Sequence, residues 1–165
     1  NTRALTAAAL TGVLTPLLQT VNMVSAPSIA RDRNIQVEEV RRGQTGAYET
    51  YIRLTVVTDR QERSVAGTVF GDGKPRIIQV KGINMEAGVG PHMVYITNED
   101  KPGFIGKFGS LLGDAGINIA TFNLGRTEPG GDAIALLEVD GEVPADTLSA
   151  IAALPMVKQV KSLRF

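Results

Sequence analysis

Residues 98–118 read N-E-D-K-P-G-F-I-G-K-F-G-S-L-L-G-D-A-G-I-N. This is the end of a strand, a Pro-Gly turn, an amphipathic helix and the start of a second strand. At about 100° per residue, Phe104, Ile105, Phe108, Leu111, Leu112 and Ala115 fall in one apolar arc. Gly106, Gly109 and Gly113 make a bare strip beside it, and Lys107, Ser110 and Asp114 face outward. Such a helix lays its apolar arc on a sheet, and its glycine strip permits close approach by another body. Asp100 is a residue type that caps helices, and Pro102 suits a first turn. The N–H groups of Gly103, Phe104 and Ile105 then lack helical partners and can face an anion. Asn98, Asp100 and Asn118 flank that point, and Gly116 fits the helix stop.

The composition excludes several classes. In 165 residues, 17 basic side chains balance 17 acidic ones, so no positive field draws nucleic acid or an anionic membrane. There is no cysteine and one histidine, His92. Disulfides, thiolate zinc sites, iron–sulfur clusters and multi-histidine metal sites are therefore not expected. No apolar run reaches membrane-spanning length. The start, Asn1-Thr2-Arg3, carries neither an initiator Met nor a signal pattern and reads as a cut piece of a longer protein. Absent cysteine is compatible with a cytoplasmic location.

The first half opens on helices. Leu5 to Val21 has helical periodicity, with a kink or break expected at Pro16. Ser25-Ala26-Pro27 predicts a second helix to about Arg33, with Ser25 as cap and Asn34 as stop. From Ile35 the period becomes two, and residues 43–46 read as a turn. Strands are expected at 51–58, 64–70 and 76–81. Three glycines and a proline in residues 82–91, G-I-N-M-E-A-G-V-G-P, read as a linker or domain boundary.

The second half alternates differently. Strands are expected at 93–97, 117–124, 133–139 and 157–163, with helices at 104–115 and 144–154. Strand–helix–strand–strand–helix–strand is the ferredoxin-like βαββαβ order. The fold class is therefore α+β: a helix pair with an antiparallel sheet over residues 1–85, a linker at 86–91, and the ferredoxin-like domain over 92–165. Both helices cover one face of the second sheet, leaving its other face and edges free. So small a core also predicts pairing with a second copy.

The second half resembles an ACT domain, through D-K-P-G-F-I-G (100–106), L-L-G-D-A-G-I-N-I-A (111–120), G-R (125–126) and G-G-D-A (130–133). The first half resembles the intervening, or allosteric substrate-binding, domain of the D-3-phosphoglycerate dehydrogenase family. Its marks are V-N-M-V-S-A-P-S-I-A-R-D-R-N-I (21–35), A-G-T-V-F-G (66–71) and P-R-I-I-Q-V-K-G (75–82). In that family the catalytic, NAD-dependent domains lie upstream, and the intervening domain has a strand just before the helix at Leu5. The resemblance implies a regulatory fragment with no catalytic residue and no cofactor of its own. It implies feedback sensing of L-serine between paired ACT domains, in a homodimer or homotetramer. Asn98 and Asp100 would orient the serine ammonium and hydroxyl. The N–H groups of Gly103, Phe104 and Ile105 would take its carboxylate, and Asn118 would reach it from across the dimer. Hydrogen bonds to charged groups are worth ~1.5–3 kcal/mol each, and a few of them give micromolar to millimolar affinity after the cost of binding. An anion site in the intervening domain would use Arg76 and Lys81, although two further positions expected to be basic are Gly88 and Glu138 here.

Other motifs fall away. Gly106-Lys107 is followed by Phe108, so it is no phosphate loop. Gly71-x-Gly73 and Gly88-x-Gly90 lack a third glycine before a helix. One histidine allows no further nucleophile triad, and no metal site is expected. The regulatory region of an L-serine dehydratase is the first competing reading, but its serine-rich, histidine-containing and cysteine motifs are absent. The second is an ACT scaffold that dimerises and binds nothing.

Overall fold

The computed structural model describes residues 2–41 and 48–165. The chain divides into two compact units, Asn1–Ala47 and Tyr48–Phe165. In the first, α1 (Thr2–Leu14) runs into a 3₁₀ turn (Thr15–Leu17), and α2 follows (Ala26–Asp32). Pro16 lies in that turn, and Leu18 is already extended. The break expected at Pro16 is therefore present, and the helix does not continue to Val21.

Ser25 does not cap α2 in the way expected. Asn22 is the cap: its Oδ1 accepts from the N–H groups of Val24 and Ser25 at 2.9 and 3.0 Å. Ser25 Oγ accepts in return from the Asn22 N–H at 3.1 Å. This is a reciprocal capping box with serine in the returning position. Asn34 does end the helix, in left-handed conformation at φ 56°. The N–H of Ile35 reaches Ala30 O, and that of Asn34 reaches Arg31 O, which completes a Schellman motif. The two-residue periodicity from Ile35 forms no strand. Glu39 instead accepts from the hydroxyls of Thr2 and Thr6 on α1, at 2.9 and 2.5 Å. The turn expected at 43–46 lies outside the described residues.

The second unit holds two four-stranded antiparallel sheets. The first is a meander of β1 (Ile52–Val57), β2 (Glu62–Val69), β3 (Pro75–Val80) and β4 (Ile83–Gly88). The second has the order β6-β7-β5-β8, built from β5 (His92–Glu99), β6 (Ile119–Arg126), β7 (Asp132–Val139) and β8 (Val157–Arg164). The helices α3 (Phe104–Asp114) and α4 (Ala145–Ala152) bury Phe104, Phe108, Leu112 and Ile151 against Val94, Ile96, Ala135 and Leu137 of that sheet. The ferredoxin-like arrangement expected of the second half is thus present.

Residues 83–88 are a strand where a linker was expected. Lys81-Gly82 makes a two-residue hairpin turn, with φ of 50° and 80°, the type I′ geometry whose twist matches the flanking strands. Ile83, Met85 and Ala87 then alternate inward and pack on Met93, Ile134 and Leu136. The face of the second sheet expected to stay free is therefore covered in part by β4. Gly125 of β6 permits this approach. A Cβ there would lie 2.5 Å from Asn84 O and 2.7 Å from Ile83 Cγ2.

Candidate functional site

The chain leaves β5 at Glu99 and turns through Asp100-Lys101-Pro102-Gly103 into α3. The residue at the N-cap is Gly103, at φ 89°, and no side chain caps the helix. This left-handed position suits glycine. Asp100 is consequently not the cap. The β6–β7 loop holds it instead: its N–H donates to Gly131 O at 2.8 Å. Its Oδ2 accepts from Arg126 Nη1 at 2.7 Å and from the Gly130 N–H at 3.3 Å. The Arg126 guanidinium, then the Gly130 N–H, hold the Asp100 carboxyl below its ordinary range.

An open cleft of ≈ 310 Å³ lies at this turn, walled by Asp100, Pro102, Gly103, Phe104, Ile105, Leu124 and Arg126. Four of the six residues expected at an effector site are therefore together: Asp100, Gly103, Phe104 and Ile105. Phe104 is buried in the core, and its N–H donates to Lys101 O at 3.4 Å. Ile105, expected within the apolar arc, is 55% exposed and forms part of the cleft rim. Arg126 and Leu124 were not among the expected site residues. The Gly125-Arg126 pair stood out in the sequence, but nothing local to it says that β6 ends beside the β5–α3 turn.

The remaining two expected residues sit elsewhere. Asn118 follows α3, whose 11 residues span ~16 Å at the usual rise. One chain cannot bring it to the cleft. Its Nδ2 donates to Asp140 Oδ2 at 2.8 Å. Asn98 is 1% exposed, beside an irregularity in the β5–β8 register. Its Nδ2 donates to Glu99 O at 2.8 Å, and its Oδ1 has no partner among the described residues.

Asn98 also lines a second cleft, of ≈ 390 Å³, with Arg63, Lys81, Thr97, Asp132 and Lys158. Lys158 is paired with Asp132 at 2.5 Å. Burial, and then the nearby Arg63 charge, lower the Lys81 pKa. Arg76 and Lys81, expected to share an anion site, stand five residues apart on β3 and its turn, ~16 Å at strand rise. Arg76 is bound to Asp72 at 2.9 Å and lies over the Phe70 ring. Its neighbour across the ladder is Gly88, so the basic residue expected there is missing. Among the described residues, no cluster of three or more His, Cys, Asp or Glu side chains could hold a metal ion, and no helix is long and apolar enough to cross a membrane.

Comparison with known proteins accounts for both halves. Residues 1–81 match the family model of the D-3-phosphoglycerate dehydrogenase intervening domain, and residues 92–155 match that of the ACT domain. Proteins named D-3-phosphoglycerate dehydrogenase are similar along nearly the whole chain. The one from Methanocaldococcus jannaschii is 38% identical over 92% of this chain and 29% of its own length. The one from Bacillus subtilis is 35% identical over 98% of this chain and 31% of its own. The one from Synechocystis is 32% identical over 99% of this chain and 30% of its own. The chain thus spans under a third of the length of these relatives.

Proposed function

Given that the chain belongs to the D-3-phosphoglycerate dehydrogenase family, joining that enzyme's intervening domain to an ACT domain, we propose that it is the regulatory portion of such an enzyme and senses L-serine. The observation that carries this reading is the cleft at the start of α3. It gathers a carboxylate, a guanidinium and the N-terminal turn of a helix against an apolar wall. Those are complements of a small amino acid. The parent enzyme would oxidise 3-phosphoglycerate with NAD in the cytoplasm, and serine as end product would restrain it. Nothing of that chemistry falls to the residues of this chain.

The site is half of a larger one. Asn118 lies a helix length from Asp100 and would contribute to the cleft of a second copy. The bare strip of α3 supports the same pairing: a Cβ at Gly106, Gly109 or Gly113 would meet nothing within 4 Å. Among the described residues these glycines relieve no contact, which supports a partner's approach along the strip. A candidate anion contact in the intervening domain is Lys81, with Arg63 beside it; Lys158 in the same cleft is paired with Asp132.

Serine binding favours one arrangement of the pair, and the coupling free energy passes to the catalytic domains. L-serine at several millimolar is expected to raise the melting temperature of the chain, since a ligand at 100 times its Kd adds ~2.7 kcal/mol to folding stability. Asn118→Ala should remove the shift. An unchanged melting temperature, with a dimer indifferent to serine in sedimentation, would overturn sensing and favour the scaffold alternative.

A further inference from the structure

We infer that Arg126 is the residue that selects for the α-carboxylate of the effector, and that with Asp100 it forms a clamp specific for zwitterions. This rests on the reading of the cleft as an amino-acid site.

The pair is half used in a particular way. Both hydrogen bonds to the Asp100 carboxylate fall on Oδ2, from Arg126 and from the Gly130 N–H. Oδ1 accepts none among the described residues, although the side chain is only 20% exposed. Arg126 carries five N–H donors and spends one, on Nη1, in that bond. The Arg126 side chain is 53% exposed, and the residue lines the cleft. One open acceptor of a carboxylate therefore stands beside several open donors of a cation.

The second half of the argument is charge. An α-amino acid holds its ammonium and its carboxylate on one carbon, so its two charges are as closely spaced as those of the clamp. An amine without a carboxylate would meet Asp100 and be repelled by Arg126. A carboxylate without an amine would meet the reverse. Only a ligand with both charges adds favourable contacts to both partners and leaves their mutual bond in place. Leu124 and Ile105, at 37% and 55% exposure, rim the cleft beside the clamp. They limit the space for a side chain without offering it a polar partner.

The inference is open to titration calorimetry at pH 7, using the 165-residue chain with L-serine and with L-serinamide, which keeps the ammonium and lacks the carboxylate. The unmodified chain should prefer L-serine by at least ~10-fold, the lower end for a hydrogen bond to a charged group. Arg126→Gln should weaken L-serine by a similar factor and level the two ligands. Arg126→Lys, which keeps the charge but not the fork, should recover part of the preference. Far-ultraviolet dichroism and a cooperative melt would verify that each variant folds. Equal binding of L-serine by the unmodified chain and Arg126→Gln would overturn the role of Arg126 and leave serine sensing intact. So would an equal loss of both ligands, which would mark Arg126 as a purely structural tether. Failure of the unmodified chain to bind either ligand would overturn serine sensing and the clamp together.

Discussion

Asp100 shows how a residue type can be read correctly and placed wrongly. Aspartate before Pro-Gly is a cap by local rules. The cap falls instead on Gly103, because a left-handed glycine already turns the chain into α3. Asp100 is thereby released to bind Arg126, 26 residues on. No local rule reports a partner that distant. The consequence for pH has a definite sign. The folded pKa of Asp100 lies below its ordinary value of 3.8. Its stabilising contribution is complete above that ordinary value, and it is lost as pH falls through the lowered folded one. Melting temperatures of the chain and of Asp100→Asn, measured from neutral pH down to 2, should converge only toward the acid end. A constant difference across the range would remove Asp100 from the account. Lys81 has the opposite character. A burial-lowered lysine pKa means that the charged form is disfavoured in the fold, an unfavourable contribution relieved only as pH rises through the lowered pKa toward the ordinary 10.5. It also holds a left-handed backbone at φ 50°, which costs a side-chain-bearing residue ~1–2 kcal/mol. A lysine at so unfavourable a position fits a binding role at the second cleft.

Among elements, α3 and β4 differ in how far they could be read. The amphipathic period of α3 placed it within a residue of its observed span. What the wheel could not supply was which edge of the arc the core would leave bare, and Ile105 is that edge. The β4 strand was hidden by its glycines. Gly82, Gly88 and Gly90 look like punctuation, and the alternation of Ile83, Met85 and Ala87 between them is only three residues deep. Its meaning depended on an apolar sheet face elsewhere in the chain, and periodicity alone does not reveal that. The glycines of α3 make a testable case at this scale. A glycine in a helix interior costs ~0.5–1 kcal/mol relative to alanine, and a Cβ at the half-buried Gly109 would meet nothing within 4 Å among the described residues. Gly109→Ala should therefore stabilise the isolated chain by ~0.5–1 kcal/mol in urea unfolding, while weakening self-association in sedimentation. Unchanged association would show that the strip faces solvent rather than a partner.

At the scale of the whole molecule, the family and both of its domains were legible before any coordinates, because each half carries motifs at fixed spacing. The packing of one sheet on the other was not. It depends in part on Gly125, and the Gly-Arg pair in the sequence carries no sign that a second sheet approaches there. Gly125→Ala would place a methyl group 2.5 Å from a backbone oxygen of β4. Backbone cannot swing aside as a long side chain can. A loss of ~1–3 kcal/mol is expected, the usual range for overpacking. Chemical denaturation measures it, and a loss below 0.5 kcal/mol would mean that the two sheets slide apart without cost.

That contact bears on how the chain can be cut. Residues 82–91 lie between the two family matches and look like the place to separate the domains. A protease or a cloning boundary there would divide β4 from the sheet it seals and bare Met93, Ile134 and Leu136 to water. The segment that neither family pattern claims is a shared wall. An ACT piece excised at residue 92 would be prone to aggregate, whereas one that begins at Tyr48 keeps both of its sheets.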